Sequence, residues 1–439
     1  MSDLTIRRAP ALPSTATPST EPSLAVPDAT TRECPECGLF QAVPALRPGQ
    51  VADCRRCGAL LRRRHKDALT TTLALSLTGL VLLAAAAESP LLSLQIAGRE
   101  RETTLAHLPT AFTNQGFWEL ALVMLAFTLL VPLIKLGLTV GLMVGLETRL
   151  APSTLAAMER WRKRLTPWAM IDVFLLGAFV AYTRLAAMAT VGVGVALYVL
   201  GALTVVMIAA DATLDEHALW EEIGRRRRTP APMGSGALIG CDSCGRVSRA
   251  APGEPCTRCN APLRRRKPDS LARTWALLIA AAALYVPANL YPVLTVIRLG
   301  RGAPSTILGG VQELIEYRMW PLAALVFVAS IAVPVLKLIC LVILLTTTQM
   351  RTARRLRDRT RLFRIIDAIG RWSMIDIFMA SILVALVRMG LLASITPGLG
   401  ALCFAGVVIL TMLASFSFDP RLMWDAAGQT ACDAAERSE

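Results

Sequence analysis

Eight apolar runs punctuate the chain, at about 69–92, 117–146, 168–190, 193–211, 271–294, 320–346, 372–392 and 396–416. Runs of about twenty residues are long enough to cross a bilayer core as helices. Only Thr190, Val191 and Gly192 separate the third from the fourth, with Gly194 next, and the last gap holds Ser394, Thr396, Pro397 and Gly398. Each gap is either a tight outer turn or a break within one re-entrant element. The turn is preferred, because each run alone can span. Between the runs, charge alternates. Segments 55–66, 147–167, 221–274 and 347–371 hold six, five, twelve and eight Lys or Arg, whereas 95–116 and 295–319 hold two and three. Basic loops mark the cytoplasmic side, so this parity places both termini there.

The pattern also repeats. An offset of 202 carries Cys54 and Cys57 to Cys256 and Cys259, Trp118 to Trp320, Pro132 to Pro334 and Lys135 to Lys337. An offset of 204 carries Trp168 to Trp372, Asp172 to Asp376, Arg184 to Arg388 and Trp220 to Trp424. The expected architecture is an all-α membrane protein of eight transmembrane helices in two tandem four-helix halves. Each half is preceded by a small cytosolic zinc-ribbon or rubredoxin-like four-cysteine module, its own. The expected boundaries are a disordered tail at 1–33, the first module at 34–66 and the first membrane half at 67–220. A linker at 221–240, the second module at 241–268, the second half at 269–425 and a tail at 426–439 follow. The tail at 1–33 is rich in Pro, Ser, Thr and Ala and lacks the apolar core of a signal peptide.

Composition agrees: 54% of residues are hydrophobic and 18% charged, too apolar for an ordinary soluble protein of 439 residues. The net charge of +14 raises the question of nucleic acid. Its arginines cluster at the ends of apolar runs, where they set membrane orientation, so no nucleic-acid partner is expected.

The cysteines carry the sharpest chemical signal. Cys34, Cys37, Cys54 and Cys57 form one pair of CxxC motifs, and Cys241, Cys244, Cys256 and Cys259 form a second. Two such pairs complete a tetrahedral tetrathiolate site, and a glycine just after a knuckle cysteine permits the tight turn that this site needs. A closed four-sulfur shell leaves no open catalytic position, so a structural zinc in each module is the preferred reading. Iron fits the same ligand set. Reversible dithiol–disulfide cycling is the sharper alternative, and cytosolic placement disfavours it.

Charges inside the apolar runs come next. Lys135 lies about 25 Å along its helix from the outer end, and Asp172 lies four residues into the next span, at similar depth. The two are expected to pair across adjacent helices, and Lys337 with Asp376 likewise. An ionisable residue at membrane depth is a functional candidate by default, with snorkelling to the headgroups as the bland alternative. Arg184 and Arg388, about 18 Å further out, either snorkel outward or bind a lipid phosphate. Pro132 and Pro334 are expected to kink their spans. Pro287 and Pro292 bracket Asn289, giving either a polar, irregular stretch that meets a headgroup or a plain helix end.

With these residues in hand, the chain resembles a known family. VPLIKL at Val131–Leu136, VPVLKL at Val333–Leu338, WAMIDVF at Trp168–Phe174 and WSMIDIF at Trp372–Phe378 look like motifs of the paraquat-inducible protein A family. So does Asp419–Asp425, from which the first half departs at Asp215–Trp220. The resemblance implies a multi-pass protein of the bacterial inner membrane that works beside a periplasmic MCE-domain partner. It also implies movement of phospholipid between membranes, with this chain loading or unloading the partner's tunnel. No enzymatic activity is expected, and no P-loop motif occurs. Energy would come from a separate ATPase, the proton gradient or the lipid gradient. The lysine–aspartate pairs, with Asp367 at the cytoplasmic entrance, are the candidates for proton coupling. A membrane thiol/redox protein and a non-translocating anchor for the MCE partner are the alternatives.

Overall fold

The computed structural model describes residues 31–44, 46–64, 68–96, 99–186, 190–227, 236–298, 301–387 and 393–428. The chain begins with two hairpins, β1 (Thr31–Glu33) with β2 (Phe40–Ala42) and β3 (Val51–Asp53) with β4 (Leu60–Arg63). The first membrane half follows as α1 (Ala68–Glu88), β5 (Pro90–Ile96), β6 (Arg99–Thr104), α2 (Leu108–Thr113), α3 (Trp118–Leu125) and α4 (Val131–Glu147). It continues with α5 (Pro152–Leu165), α6 (Ile171–Ala186), β7 (Thr190–Val193), α7 (Val195–Thr213) and α8 (Glu216–Arg226). After the hairpin β8 (Ala237–Gly240) and β9 (Val247–Ala250), the second half repeats the order. It runs α9 (Ser270–Leu290), β10 (Leu294–Arg298), β11 (Arg301–Ser305), α10 (Ile307–Glu316), α11 (Trp320–Phe327) and α12 (Val333–Gln349). Then come α13 (Leu356–Ile369), α14 (Ile375–Leu386), β12 (Ala393–Pro397), α15 (Leu399–Ser417) and α16 (Arg421–Ala426).

Eight helical stretches among the described residues are long and apolar enough to span a membrane, giving a multi-pass membrane protein. The first and fifth end earlier than their apolar runs. Pro90 and Pro292 disfavour helix in the residue before them and supply no N–H, so the chain turns into β5 and β10. The gaps at 190–193 and 393–397 are also strands. β7 pairs antiparallel with β5, and β12 with β10, giving sheet orders β6-β5-β7 and β11-β10-β12. Each sheet closes one end of its half. Gly194 and Gly398 pass so close to the carbonyls of Pro90 and Pro292 that a Cβ would collide with them.

Pro132 and Pro334 act differently from simple kinks. Each follows a π-helical turn, Ala126–Leu130 and Val328–Ala332, that joins α3 to α4 and α11 to α12. Val131 and Val333 donate their N–H groups five residues back, to Ala126 and Val328. The wide turn accommodates the hydrogen bond that proline cannot make.

Within each half the first and last spans lie side by side, α1 on α7 and α9 on α15, and the halves meet where α6 crosses α14. Gly177 makes that crossing possible, since a Cβ there would lie 2.9 Å from Phe378 Cβ and 3.1 Å from the Ile375 carbonyl. Phe174 and Phe378 stack edge to face beside it, with centroids 5.5 Å apart. All twelve residues of α14 are buried. At about 18 Å it is too short to span alone; a 3₁₀ turn, Gly370–Met374, precedes it.

Three boundaries differ from those read in the sequence. Thr31–Glu33 belong to the first ribbon as β1, α8 occupies 221–226 of the expected linker, and β8 starts the second ribbon at Ala237. The N-terminal tail before residue 31 and the C-terminal tail after 428 lie outside the described residues.

Candidate functional site: two metal ribbons and the buried charges

Each CxxC pair occupies a tight knuckle turn. The residue after the second cysteine takes positive φ: Gly38 at 72°, Gly58 at 69°, Gly245 at 68° and Asn260 at 61°. Its N–H donates to the carbonyl of the first cysteine, at 2.9 Å for Gly38 and Gly58 and 2.8 Å for Gly245 and Asn260. Glycine, and next best asparagine, tolerates that backbone, so the local sequence builds the turn.

The knuckles face each other in pairs. Cys34 Sγ lies 3.6 Å from Cys57 Sγ and Cys37 Sγ 3.6 Å from Cys54 Sγ; the second ribbon gives 3.5 Å for Cys241–Cys259 and 3.6 Å for Cys244–Cys256. Within each cluster all four sulfurs fall within 4.8 Å. Ligands on a tetrahedral zinc are spaced by about 3.8 Å, whereas a disulfide needs about 2 Å. All eight cysteines are free and buried. Contact among the thiols divides them, with hydrogen bonds from their neighbours holding Cys54 and Cys256 below the ordinary thiol range and pushing Cys37 and Cys244 above it. A cation resolves that conflict by taking all four as thiolates. The donor set fits a metal ion.

The ribbons are crossed. The first packs on the second membrane half, its cysteines against Cys340, Leu341, Leu344 and Leu345 of α12, with Phe418 and Trp424 in the same cluster. The second packs on the first half, against Leu142, Met143 and Leu146 of α4, with Leu155 of α5 and Trp220 of α8. Polar contacts follow the same swap. Arg364 of α13 pairs with Glu36, and Arg56 lies 4.7 Å over the Trp424 ring. Arg160 of α5 donates to the Cys259 carbonyl at 2.6 Å. The expectation that each half carries its own module is therefore corrected: each ribbon precedes one half in sequence and docks on the other.

An ionic hub fastens the crossing. Arg421, 4% exposed, meets Asp419 at 3.0 Å, Glu33 of the first ribbon at 3.3 Å and Asp242 of the second at 3.1 Å. Arg266 joins Glu33 at 3.1 Å and Asp425 at 2.5 Å, and Glu33 also accepts the Gly240 N–H at 2.9 Å. Burial opposes ionisation of Asp419, but the Arg421 guanidinium overrides it and holds the carboxyl below its usual range. For Glu33 burial wins over Arg421 and Arg266, and its carboxyl is pushed up.

Neither expected lysine–aspartate pair forms. Lys135 Nζ bonds Asp211 Oδ2 of α7 at 2.6 Å, and Asp172 is exposed. Equal depth does not fix azimuth; helix packing turned Lys135 toward the carboxylate at the end of span four. In the second half the carboxylate acting on Lys337 is Asp367 of α13, and the ammonium lies against Gly370. Asp376 instead lies near the Ser330 hydroxyl and Arg184 of the other half, and its Oδ1 has no partner among the described residues. Asp376 is the carboxylate at a cavity of about 20 Å³ lined by Phe112, Leu120, Ile307, Ile377 and Phe404, room for one water.

Arg184 reaches across the halves, with Nη2 3.4 Å from the Gly310 carbonyl of α10. Asn289 donates back to the Tyr285 carbonyl at 2.9 Å, within α9, which runs through Pro287 to Leu290. Arg388 lies outside the described residues. Sequence reasoning passed over Asp211, although it is a lone carboxylate at the end of an apolar run. It also missed Glu33 and Arg421, which no spacing links.

These features define a class: a polytopic helical membrane protein built from a duplicated four-span unit, with two four-cysteine metal ribbons at one end. Within that class the chain belongs to the paraquat-inducible protein A family, whose model matches residues 69–224 and 271–428. It is 35% identical to the intermembrane transport protein PqiA of Escherichia coli K12 over 397 residues, 89% of this chain and 95% of that one. It is 32% identical to the lipophilic envelope-spanning tunnel protein A of the same strain over 403 residues, covering 91% and 92%. A probable intermembrane transport protein of Haemophilus influenzae is 26% identical over 402 residues, covering 89% and 95%. No solved structure matches.

Proposed function

We propose that this protein is the inner-membrane component of an intermembrane lipid-transport system. It loads or unloads phospholipid at a periplasm-spanning MCE-protein tunnel, as a carrier and not an enzyme. The names of its relatives support intermembrane transport. The basic segments flank the ribbon end, which supports a cytoplasmic position for that end and both termini, with the two small sheets toward the periplasmic partner. Each ribbon holds zinc, which supplies a structural cross-link.

The observation that carries the reading is Asp376. It is a buried carboxylate on an enclosed helix, where the halves meet, within the electrostatic reach of Arg184 from the opposite half. Neutralising it weakens the attraction to Arg184, which touches α10 across the seam. Proton uptake thereby changes how the halves hold together. Lys337 and Asp367 lie toward the ribbon end and form the cytoplasmic branch of this route.

The test is lipid photocrosslinking in cells, with probes at Asn289, Lys337 and Asp376 and a control at the outward-facing Tyr198. Capture at the inner positions, lost without the MCE partner or with Asp376→Asn, is expected. Crosslinks confined to Tyr198 would reduce the protein to an anchor. If Asp376→Asn and Lys337→Ala proteins insert and maintain a normal envelope, proton coupling through these groups is wrong.

A further inference from the structure

Three guanidiniums converge where the two ribbons meet α8. Arg32, 6% exposed, leaves β1 and donates Nη1 to the Gly245 carbonyl of the second ribbon at 2.8 Å. Arg62 of β4 reaches Glu221 of α8 at only 3.7 Å, and its Nε is buried with no partner among the described residues. Arg258, between Cys256 and Cys259, lies under Gly224 of α8, where a Cβ would sit 3.3 Å from Nε. Its Nε and Nη1 are both buried with no partner among the described residues. His217 of α8 feels the same field, since burial first and then the three arginines push its imidazole down to about 3, leaving it neutral.

The cluster is short of hydrogen-bond acceptors among the described residues. The carboxylate acting on Arg32 is the half-exposed Glu221, and Arg258 and Arg62 oppose it. The second ribbon's carbonyls are already served from elsewhere, by Arg160 to Cys259 and by Arg227 to Thr257 at 2.6 Å each. Three desolvated guanidinium nitrogens remain without an acceptor among the described residues, and a buried donor left unpaired is destabilising. A tetrahedral oxyanion offers enough acceptors and charge to complete such a cluster, and the guanidinium fork suits it. α8 starts three residues after α7 ends at Thr213, so the cluster stands beside the membrane surface.

We propose that Arg32, Arg62 and Arg258 form a phosphate-binding site at the junction of the two ribbons and α8. Its phosphate is either the headgroup of an anionic phospholipid or free phosphate. Only the lipid source depends on the ribbon end facing the headgroups of the cytoplasmic leaflet. Because the site touches both crossed ribbons and α8 of the first half, a bound phosphate would stiffen their junction.

The test uses the full chain in zwitterionic detergent with its metal in place. Inorganic phosphate is titrated against chloride at matched ionic strength, and thermal unfolding is followed. In parallel, chain reconstituted in phosphatidylcholine vesicles with and without phosphatidylglycerol is extracted and weighed by native mass spectrometry. Wild type is expected to show a saturable rise in unfolding temperature with phosphate, or one retained phosphatidylglycerol. Arg62→Gln and Arg62→Gln/Arg258→Gln should weaken either response by about tenfold or more, while metal content stays equal to wild type. Metal content screens for misfolding, and the Arg62→Gln variant leaves every knuckle residue intact. A retained lipid assigns the site to a headgroup, and a phosphate response without one assigns it to free phosphate. No response in wild type, or an equal response in wild type and Arg62→Gln, overturns the proposal.

Discussion

Asp419 and Arg421 sit side by side almost sealed from solvent, and their opposite charges make the hub's behaviour with pH readable. The Asp419 carboxyl titrates lower in the folded chain than its ordinary value of 3.8. As pH falls through that value the unfolded chain takes up the proton first, so stability present at neutral pH is lost below about 3.8. Asp419→Asn should cost about 1.5–3 kcal/mol at pH 7 and flatten this acid limb, read from thermal midpoints between pH 3 and 7. Glu33 has the opposite sign: its carboxyl is pushed up by burial, so its ionised form is disfavoured in the fold. Glu33→Gln should therefore cost less than Asp419→Asn, and an equal or larger loss would contradict this division. The cysteines behave locally in the same sense. Cys54→Ser should remove one of two bound metals per chain by elemental analysis, and Cys256→Ser the other. All eight were legible because knuckle spacing is a short-range property. The partner of Lys135 was not, because depth along a helix says nothing about which neighbour it faces.

At the scale of elements, the crossing of α6 over α14 depends on one missing side chain. Gly177→Val places methyl groups where Phe378 and the Ile375 carbonyl already sit. Overpacking of this kind costs about 1–3 kcal/mol, so the midpoint of detergent unfolding should drop, while Gly201→Ala, which meets nothing within 4 Å, should leave it unchanged. The sequence reported the spans well because twenty apolar residues in a row admit few other fates. It hid the two small sheets. β7 and β12 are too short to show alternation, and their pairing with β5 and β10 joins segments about one hundred residues apart. Pro132 and Pro334 were visible, yet a π-helical turn in place of a sharp kink depends on the surrounding packing.

The whole molecule is two pseudo-symmetric halves tied together by swapped ribbons. Loss of metal from the first ribbon should loosen the second half, and the reverse. Hydrogen exchange on Cys34→Ser protein is expected to rise in α13 while α5 stays protected; Cys241→Ser should give the opposite pattern. Exchange rising beside the sequence-adjacent half would falsify the crossed arrangement. The halves are not equivalent. Lys135 meets Asp211, whereas the second half has Ser415 at that place and sends Lys337 toward Asp367. Asp376 lines the cavity whereas its counterpart Asp172 is exposed, so the route proposed for protons lies in one half and not in both.

The sequence by itself determined what depends on neighbours along the chain: eight spans, their duplication, the four-cysteine knuckles and the family motifs. Hydrophobic length and turn chemistry act over a few residues or one helix and need no partner to be read. Tertiary structure alone decided which ribbon docks on which half, which carboxylate meets each lysine, and how Glu33, Asp242 and Arg421 converge from three distant segments. Those choices rest on the azimuth of packed helices and on desolvated charges finding partners across the chain, and no linear spacing encodes either.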